Sequence, residues 1–265
     1  MQITPPDIRT VNVTRYITPL REGGSLPAIT EADDGFMYVL KFKGAGQGTK
    51  ALIAELVSGE IARKIGFKIP EIVFANLNEA FGRTEPDEEI QDLLKASAGK
   101  NIAMHYLSGA FMFDAVVTKI SNTLASEIVW FDSFITNVDR TAKNTNMLHW
   151  HNEVWLIDHG ASLYFHHNIQ NPEMQALQAF PMIKDHVLLK YATELEQANK
   201  KFRNLLNNEN IKAIVSTIPP EWLTGEGFDN DIEKNKEVYN RFLITRLNAS
   251  ENFVKEAIHA REALI

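Results

Sequence analysis

Apolar and polar positions alternate over Val11–Ile17, the period of a half-buried strand. A glycine pair follows, Gly23–Gly24, then Ser25, Leu26 and Pro27. A further extended stretch ends at Glu31–Gly35, where Asp34–Gly35 predicts a tight turn because glycine accepts positive φ. Phe36–Phe42 then reads as a strand and Gly44–Gly48 as a loop. The next segment changes period. Leu52, Ile53, Leu56, Val57 and Ile61 share one face of a helix predicted over Thr49–Lys64, closed by Gly66 and Pro70. Ile69–Leu77 reads as a strand, Glu79–Lys100 as an acidic loop holding a short helix at Glu88–Ala96, and Asn101–Leu107 as extended chain.

Beyond residue 108 the pattern becomes helical. Val116, Val117, Ile120, Leu124, Ile128, Phe131 and Ile135 predict a long helix over Ala115–Thr136. Met147–Trp150 and Val154–Ile157 read as two short strands around a polar turn, and helices are expected over Leu188–Leu206 and, with a break, Asp231–Leu264. The outline is α+β: a β-rich N-terminal part, 1–108, and a helical C-terminal part, 109–265.

Composition narrows the classes. The chain has 265 residues, 45% hydrophobic and 23% charged, which is globular and long enough for one large domain or two lobes. A net charge of −7 gives no electrostatic footprint for nucleic acid. Cysteine is absent, which excludes disulfides and thiolate-bound metal. The N-terminal stretch lacks the basic flank and apolar run of a signal peptide, and no window approaches the ~18 apolar residues of a membrane span. A cytoplasmic protein is expected.

The chemistry concentrates in Asn137–Gly160. Asp139 and Asn144 lie five apart in a polar stretch after a helix, and a hairpin leads from there to Asp158-His159-Gly160. Phosphoryl transfer needs a carboxylate to orient or deprotonate the attacking hydroxyl, and an amide oxygen plus a second carboxylate to hold Mg²⁺. The hairpin would return Asp158 beside Asn144, and Gly160 would let the chain turn away.

These segments occur together with Gly23–Pro27 (GGSLP), Tyr38–Phe42 (YVLKF) and Ala54–Val73 (AELVSGEIARKIGFKIPEIV). The order resembles the HipA-like kinase family, an atypical branch of the protein-kinase-like fold. That resemblance implies a bilobal protein-kinase-like fold, with a β-rich N-terminal lobe, a hinge at 103–108 and a mainly helical C-terminal lobe. It implies ATP and Mg²⁺ as cofactors and a serine or threonine of a protein as acceptor. Asp139 would be the catalytic base, Asn144 and Asp158 the metal ligands, and Lys41 the contact to the α/β-phosphates. Gly23, Gly24 and Ser25 would lie over the phosphates, with Ser25 the candidate for autophosphorylation. Met104, His105, Tyr106 and Leu107 would form the hinge against adenine. Lys143 or Arg140 would neutralise charge on the transferring group, Arg140 being equally suited to anchoring its loop.

The acid that pairs with Lys41 stays open between two residues. The resemblance points to Glu55. The helical wheel points to Glu60, which falls about −20° from Ile53 on the apolar face, with Glu55 about 200° away. His149 and His151 share a strand face, but no third ligand stands at metal-binding spacing. Two other functions use the same residues: a nucleotide-binding pseudokinase and a kinase for small-molecule hydroxyls.

Overall fold

The computed structural model describes residues 4–20, 26–46, 48–83, 86–115 and 118–264. Strands β1 (Thr10–Pro19), β2 (Ala28–Ala32) and β3 (Met37–Lys41) follow one another as antiparallel neighbours. The β2–β3 turn is held by Gly35 at φ +80° and by two aspartates. Asp33 accepts from the backbone and side chain of Asn12 at 2.9 and 2.7 Å, and Asp34 from the Tyr38 hydroxyl at 2.7 Å. Helix α1 (Thr49–Lys64) comes next, then β4 (Ile72–Leu77), helix α2 (Glu88–Ala96) capped by the Asp87 side chain, and β5 (Gly99–His105). The five strands close into a barrel in the order β1-β2-β3-β5-β4, with β1 and β4 parallel. Val11, Val13, Tyr38, Leu40, Val73 and Ala103 fill it, and Leu94 of α2 packs onto the same core.

Helix α1 lies outside the barrel, in the larger core shared with the C-terminal helices. It crosses β4 closely: a Cβ on Gly59 would stand 2.4 Å from the Ile72 Cδ1 atom. Every residue from Leu52 to Ala62 is buried, so the helix has no solvent face in its middle.

The C-terminal half opens with β6 (Phe111–Met112), helix α3 (Asn122–Phe134), β7 (Met147–Trp150) and β8 (Glu153–Leu156). The three strands form a small sheet. Helix α3 is shorter than its periodicity predicts. It starts at Asn122, where the Ser121 hydroxyl caps the Leu124 N–H at 3.1 Å, and Ile120 packs on the core without being helical. Val116 and Val117 lie outside the described residues. Helices α4 (Pro172–Ala176), α5 (Leu195–Leu205), α6 (Asn208–Ser216), α7 (Ile232–Asn248) and α8 (Ser250–Glu262) complete the chain. The helix expected over Leu188–Leu206 is divided: a single turn at Leu189–Tyr191 precedes α5. Apolar residues at both ends of that stretch are buried, which accounts for its apolar character without a continuous helix.

Trp222 ties the two parts together, its indole donating to the Lys100 carbonyl at 3.2 Å and meeting Phe74 edge-on. Arg246 of α7 is buried, with its guanidinium on the carbonyls of Ser133, Phe134, Ala176 and Gln178. Burial pulls its pKa down to about 9, still charged at neutral pH. No helix among the described residues is long and apolar enough to cross a membrane.

Candidate active site

Strand β3 ends on Lys41, and α1 carries Glu55 beneath it. The Lys41 ammonium donates to Glu55 Oε2 and, at 2.5 Å, to Asp158 Oδ1. Glu55 is fully buried, and it also accepts the His159 N–H at 3.0 Å and faces His159 Nδ1 at 3.3 Å. Burial would push its carboxyl up, but Lys41 and His159 outweigh burial and hold it well below the usual carboxylate range. Burial likewise disfavours charge on Lys41, yet Asp158 and Glu55 raise its pKa above the ordinary lysine value. One lysine therefore joins the barrel, helix α1 and the Asp-His-Gly turn. Glu60, the alternative partner, meets Arg63 at 3.2 Å instead. The wheel argument misleads because α1 is buried all round, so a carboxylate opposite the apolar stripe is no less in need of a partner.

The turn after β8 also differs in detail from expectation. Asp158 itself takes the left-handed conformation, at φ +55°. Gly160 does not have positive φ, and a Cβ there would meet only ordinary contacts from 3.6 Å outward.

Asp139 sits in the loop after α3. Its Oδ2 accepts from the Asn144 amide at 2.7 Å and from Asn146 at 3.2 Å. Burial raises its pKa, and the charge of Asp158 adds to that, while Asn146 and Asn144 oppose it. The Ile157 N–H donates to the Asn146 carbonyl at 3.1 Å, which seats the end of the hairpin against this loop. Asn144 and Asp158 are thereby brought to one region with Asp139.

A second set of residues fixes the loop from below, of which the sequence reading had selected Arg140 but neither Asp132 nor His186. Asp132 of α3 is fully buried. It accepts from Arg140 Nε at 2.5 Å, from His186 Nε2 at 2.9 Å and from Asn137 at 3.0 Å. His186 Nδ1 accepts the Leu188 N–H at 3.0 Å, which assigns the donated proton to Nε2. Asn137 in turn receives the Asp139 N–H at 3.0 Å, and Arg140 donates to the Asn146 carbonyl. Arg140 is thus an anchor. A carboxylate within the apolar run Val129–Phe134 was the one local signal of this network. His186 left none, because 54 residues separate it from Asp132.

The remaining candidates fall as follows. Lys143 is exposed, with no ionic partner among the described residues. Of the four expected hinge residues, His105 and Tyr106 spend their N–H groups on the carbonyls of Glu71 and Met37. Met104 lies within β5, paired to both neighbouring strands. Leu107 is left with an N–H that has no protein partner among the described residues. Gly23, Gly24 and Ser25 lie outside the described residues. Among those described, no three His, Cys, Asp or Glu side chains gather as a metal cage. His149 packs on Phe111 and His151 on Trp150.

A strand lysine bridged to a helix glutamate and to a hairpin aspartate, on a kinase-like α+β fold, defines the class as protein-kinase-like. A family model described as HipA-like kinase matches residues 13–254. The chain belongs to that family and is a phosphotransferase enzyme. Among solved structures it is similar to the Helicobacter pylori proinflammatory kinase CtkA, at 15% identity and a TM-score of 0.55. That match covers 97% of this chain and 100% of the other. The Golgi casein kinase with Mn/ADP bound matches at 10% identity and a TM-score of 0.49, over 98% and 74% of the two chains. Comparison with curated protein sequences gives no match.

Proposed function

We propose that this chain transfers the γ-phosphoryl group of ATP to a serine or threonine hydroxyl of a protein, in a cleft between a small lobe, 1–108, and a helical lobe, 109–265. The observation that carries this reading is the Lys41 ammonium shared between Glu55 and Asp158. It links the candidate phosphate-contacting residue to the candidate metal ligand. The donor set suits Mg²⁺. Asn144 spends its side-chain N–H on Asp139, and its side-chain oxygen has no partner among the described residues; the Asp158 side chain is 44% exposed, with one oxygen uncommitted to Lys41. Two hard oxygen donors plus phosphate and water are what Mg²⁺ ordinarily takes.

ATP would supply the phosphoryl group, and Mg²⁺ held by Asn144 and Asp158 would neutralise part of the phosphate charge. The protein supplies position. Glu55 holds the Lys41 ammonium for the α/β-phosphates, and Leu107 offers its N–H to the adenine edge. Asp139 keeps one oxygen clear of Asn144 and Asn146. That oxygen orients the acceptor hydroxyl and takes its proton as the new O–P bond forms and ADP leaves. Lys143 would approach the transferring group, and the family resemblance assigns Gly23, Gly24 and Ser25 to the phosphates.

Intact mass before and after incubation with ATP and Mg²⁺ tests the reading, with a serine/threonine-rich protein such as casein as second acceptor. Phosphate on either protein with the wild type, and on neither with Asp139→Ala, is the expected result. Phosphorylation by Asp139→Ala at the wild-type rate would overturn the role of Asp139. Labelling of small alcohols with no labelling of either protein would overturn the protein acceptor.

A further inference from the structure

The Asp-His-Gly turn reaches helix α1 through a side chain that neither the metal role nor the phosphate role uses. His159 is fully buried, its ring meeting Phe131 edge-on at 5.8 Å. Its backbone N–H donates to Glu55 Oε2 at 3.0 Å, and its Nδ1 lies 3.3 Å from Glu55 Oε1. The two carboxylate oxygens therefore have different partners. Oε2 takes the Lys41 ammonium as well as the His159 N–H, while the imidazole is the one partner of Oε1 among the described residues.

The direction of that contact follows from its chemistry. Glu55 is held ionised, and an ionised carboxylate only accepts, so Nδ1 carries the hydrogen. Nε2 is buried with no partner among the described residues, which leaves Glu55 as the polar anchor of the ring. The backbone keeps the turn in place. A Cβ on Gly160 would stand 3.8 Å from both Glu55 Oε2 and the Ala51 carbonyl, so the turn lies directly on the first turns of α1. Asp158 before it is left-handed, and the Ser162 N–H closes on the His159 carbonyl at 2.9 Å.

Lys41 is shared between two carboxylates, one of them the candidate metal ligand. With Asp158 engaged by metal, Glu55 would be the remaining ionic partner of the lysine. A carboxylate held through one oxygen can swing about its terminal bond, whereas one held through both is fixed in direction. We propose that His159 is a positioning residue of this centre. Its Nδ1–H clamps Glu55 Oε1 and so keeps Oε2 aimed at Lys41 when Asp158 lets the lysine go. The proposal rests on the kinase reading of Lys41 and makes the place of that lysine depend on the turn that carries Asp158.

His159→Phe keeps a buried ring and removes the donor, and His159→Asn sets an amide N–H where Nδ1 stood. The first test needs no turnover: nitrogen-15 NMR of the imidazoles in the ligand-free full chain, with His159 assigned as the signal lost in both variants. A hydrogen on Nδ1 is expected; an Nδ1 without one would overturn the proposal whatever the activity of the chain. The second test is steady-state kinetics at varied ATP, with thermal melts to count folded protein. In His159→Phe, kcat should fall about tenfold or more and the KM for ATP change less than about threefold, because position counts for more in the transition state than in ground-state binding. His159→Asn should recover most of kcat. A wild-type kcat in His159→Phe would overturn the proposal, as would equal loss in both variants, the mark of a packing role. Should His159→Phe fail to fold, His159→Leu takes its place. A wild type that transfers phosphate to no acceptor would count against the kinase reading, and the NMR result would then decide the clamp alone.

Discussion

Two ion clusters stand close together in this protein and differ in one property, access to water. Lys41, Glu55 and Asp158 form a cluster with an open edge, since the Asp158 side chain is 44% exposed and that of Lys41 12%. Asp132, Arg140 and His186 form a sealed one, with side chains 0%, 0% and 2% exposed. Their chemistry is similar, each setting a cation against a carboxylate buried in a helix. In the sealed cluster no ligand reaches the charges, so their partners are permanent and their role is to hold the Asp139 loop. In the open cluster one carboxylate can exchange Lys41 for another cation, the property required of a metal-binding aspartate. Exposure, more than residue type, separates the group that anchors from the group that works.

Removing the carboxylate that the sealed cluster positions should give the largest change. Asp139→Ala should lose about 10²–10⁴-fold in turnover, as for loss of a general base, with melting temperature nearly unchanged. A steady-state ATPase or protein-labelling assay measures this. Asp132→Ala should act through stability. It strands the Arg140 charge in the interior and should cost about 3–5 kcal/mol in urea denaturation. A smaller loss would mean that water enters the sealed cluster.

Acid should separate the clusters further. Although burial opposes it, Arg140 and His186 hold the Asp132 carboxyl below its ordinary value of 3.8. Its contribution to stability is therefore complete above pH 3.8 and is lost as the pH falls below that value toward the folded-state pKa. Asp132→Asn should flatten the stability–pH curve in that acid range, measured by denaturation at stepped pH. The smallest effect is expected at the open edge. Asp158→Asn should change stability by less than about 1 kcal/mol, because the Asp158 side chain is 44% exposed and Lys41 keeps Glu55 as its ionic partner. The same variant should abolish the Mg²⁺-dependent thermal shift given by ATP. An unchanged shift would remove Asp158 from the metal site.

Much of the fold could be read along the chain. Helices α1 and α2 run over the residues predicted for them, Thr49–Lys64 and Glu88–Ala96, and β7 and β8 enclose the predicted polar turn. Local signals failed where burial and secondary structure part company. Ile120 is apolar because it packs on the core, not because it is helical. The stretch Leu188–Leu206 is apolar at both ends, yet its regular helix begins only at Leu195. At the candidate site, Lys41, Asp139, Asn144 and Asp158 stood out by type and order, and the structure brings them to one region. Asp132 and His186 did not stand out, because their meaning depends on each other across 54 residues.

The sequence by itself determined the alternation of strands and helices, the α+β class and the order of the candidate chemical groups, since period, turns and caps act over a few residues. Tertiary structure decided which glutamate meets Lys41, that Asp158 rather than Gly160 takes the left-handed turn, and that Arg140 anchors its loop. Those outcomes depend on what surrounds each group. A buried charge must find its partner among whatever the fold places within about 3 Å of it, and no local pattern records that neighbour.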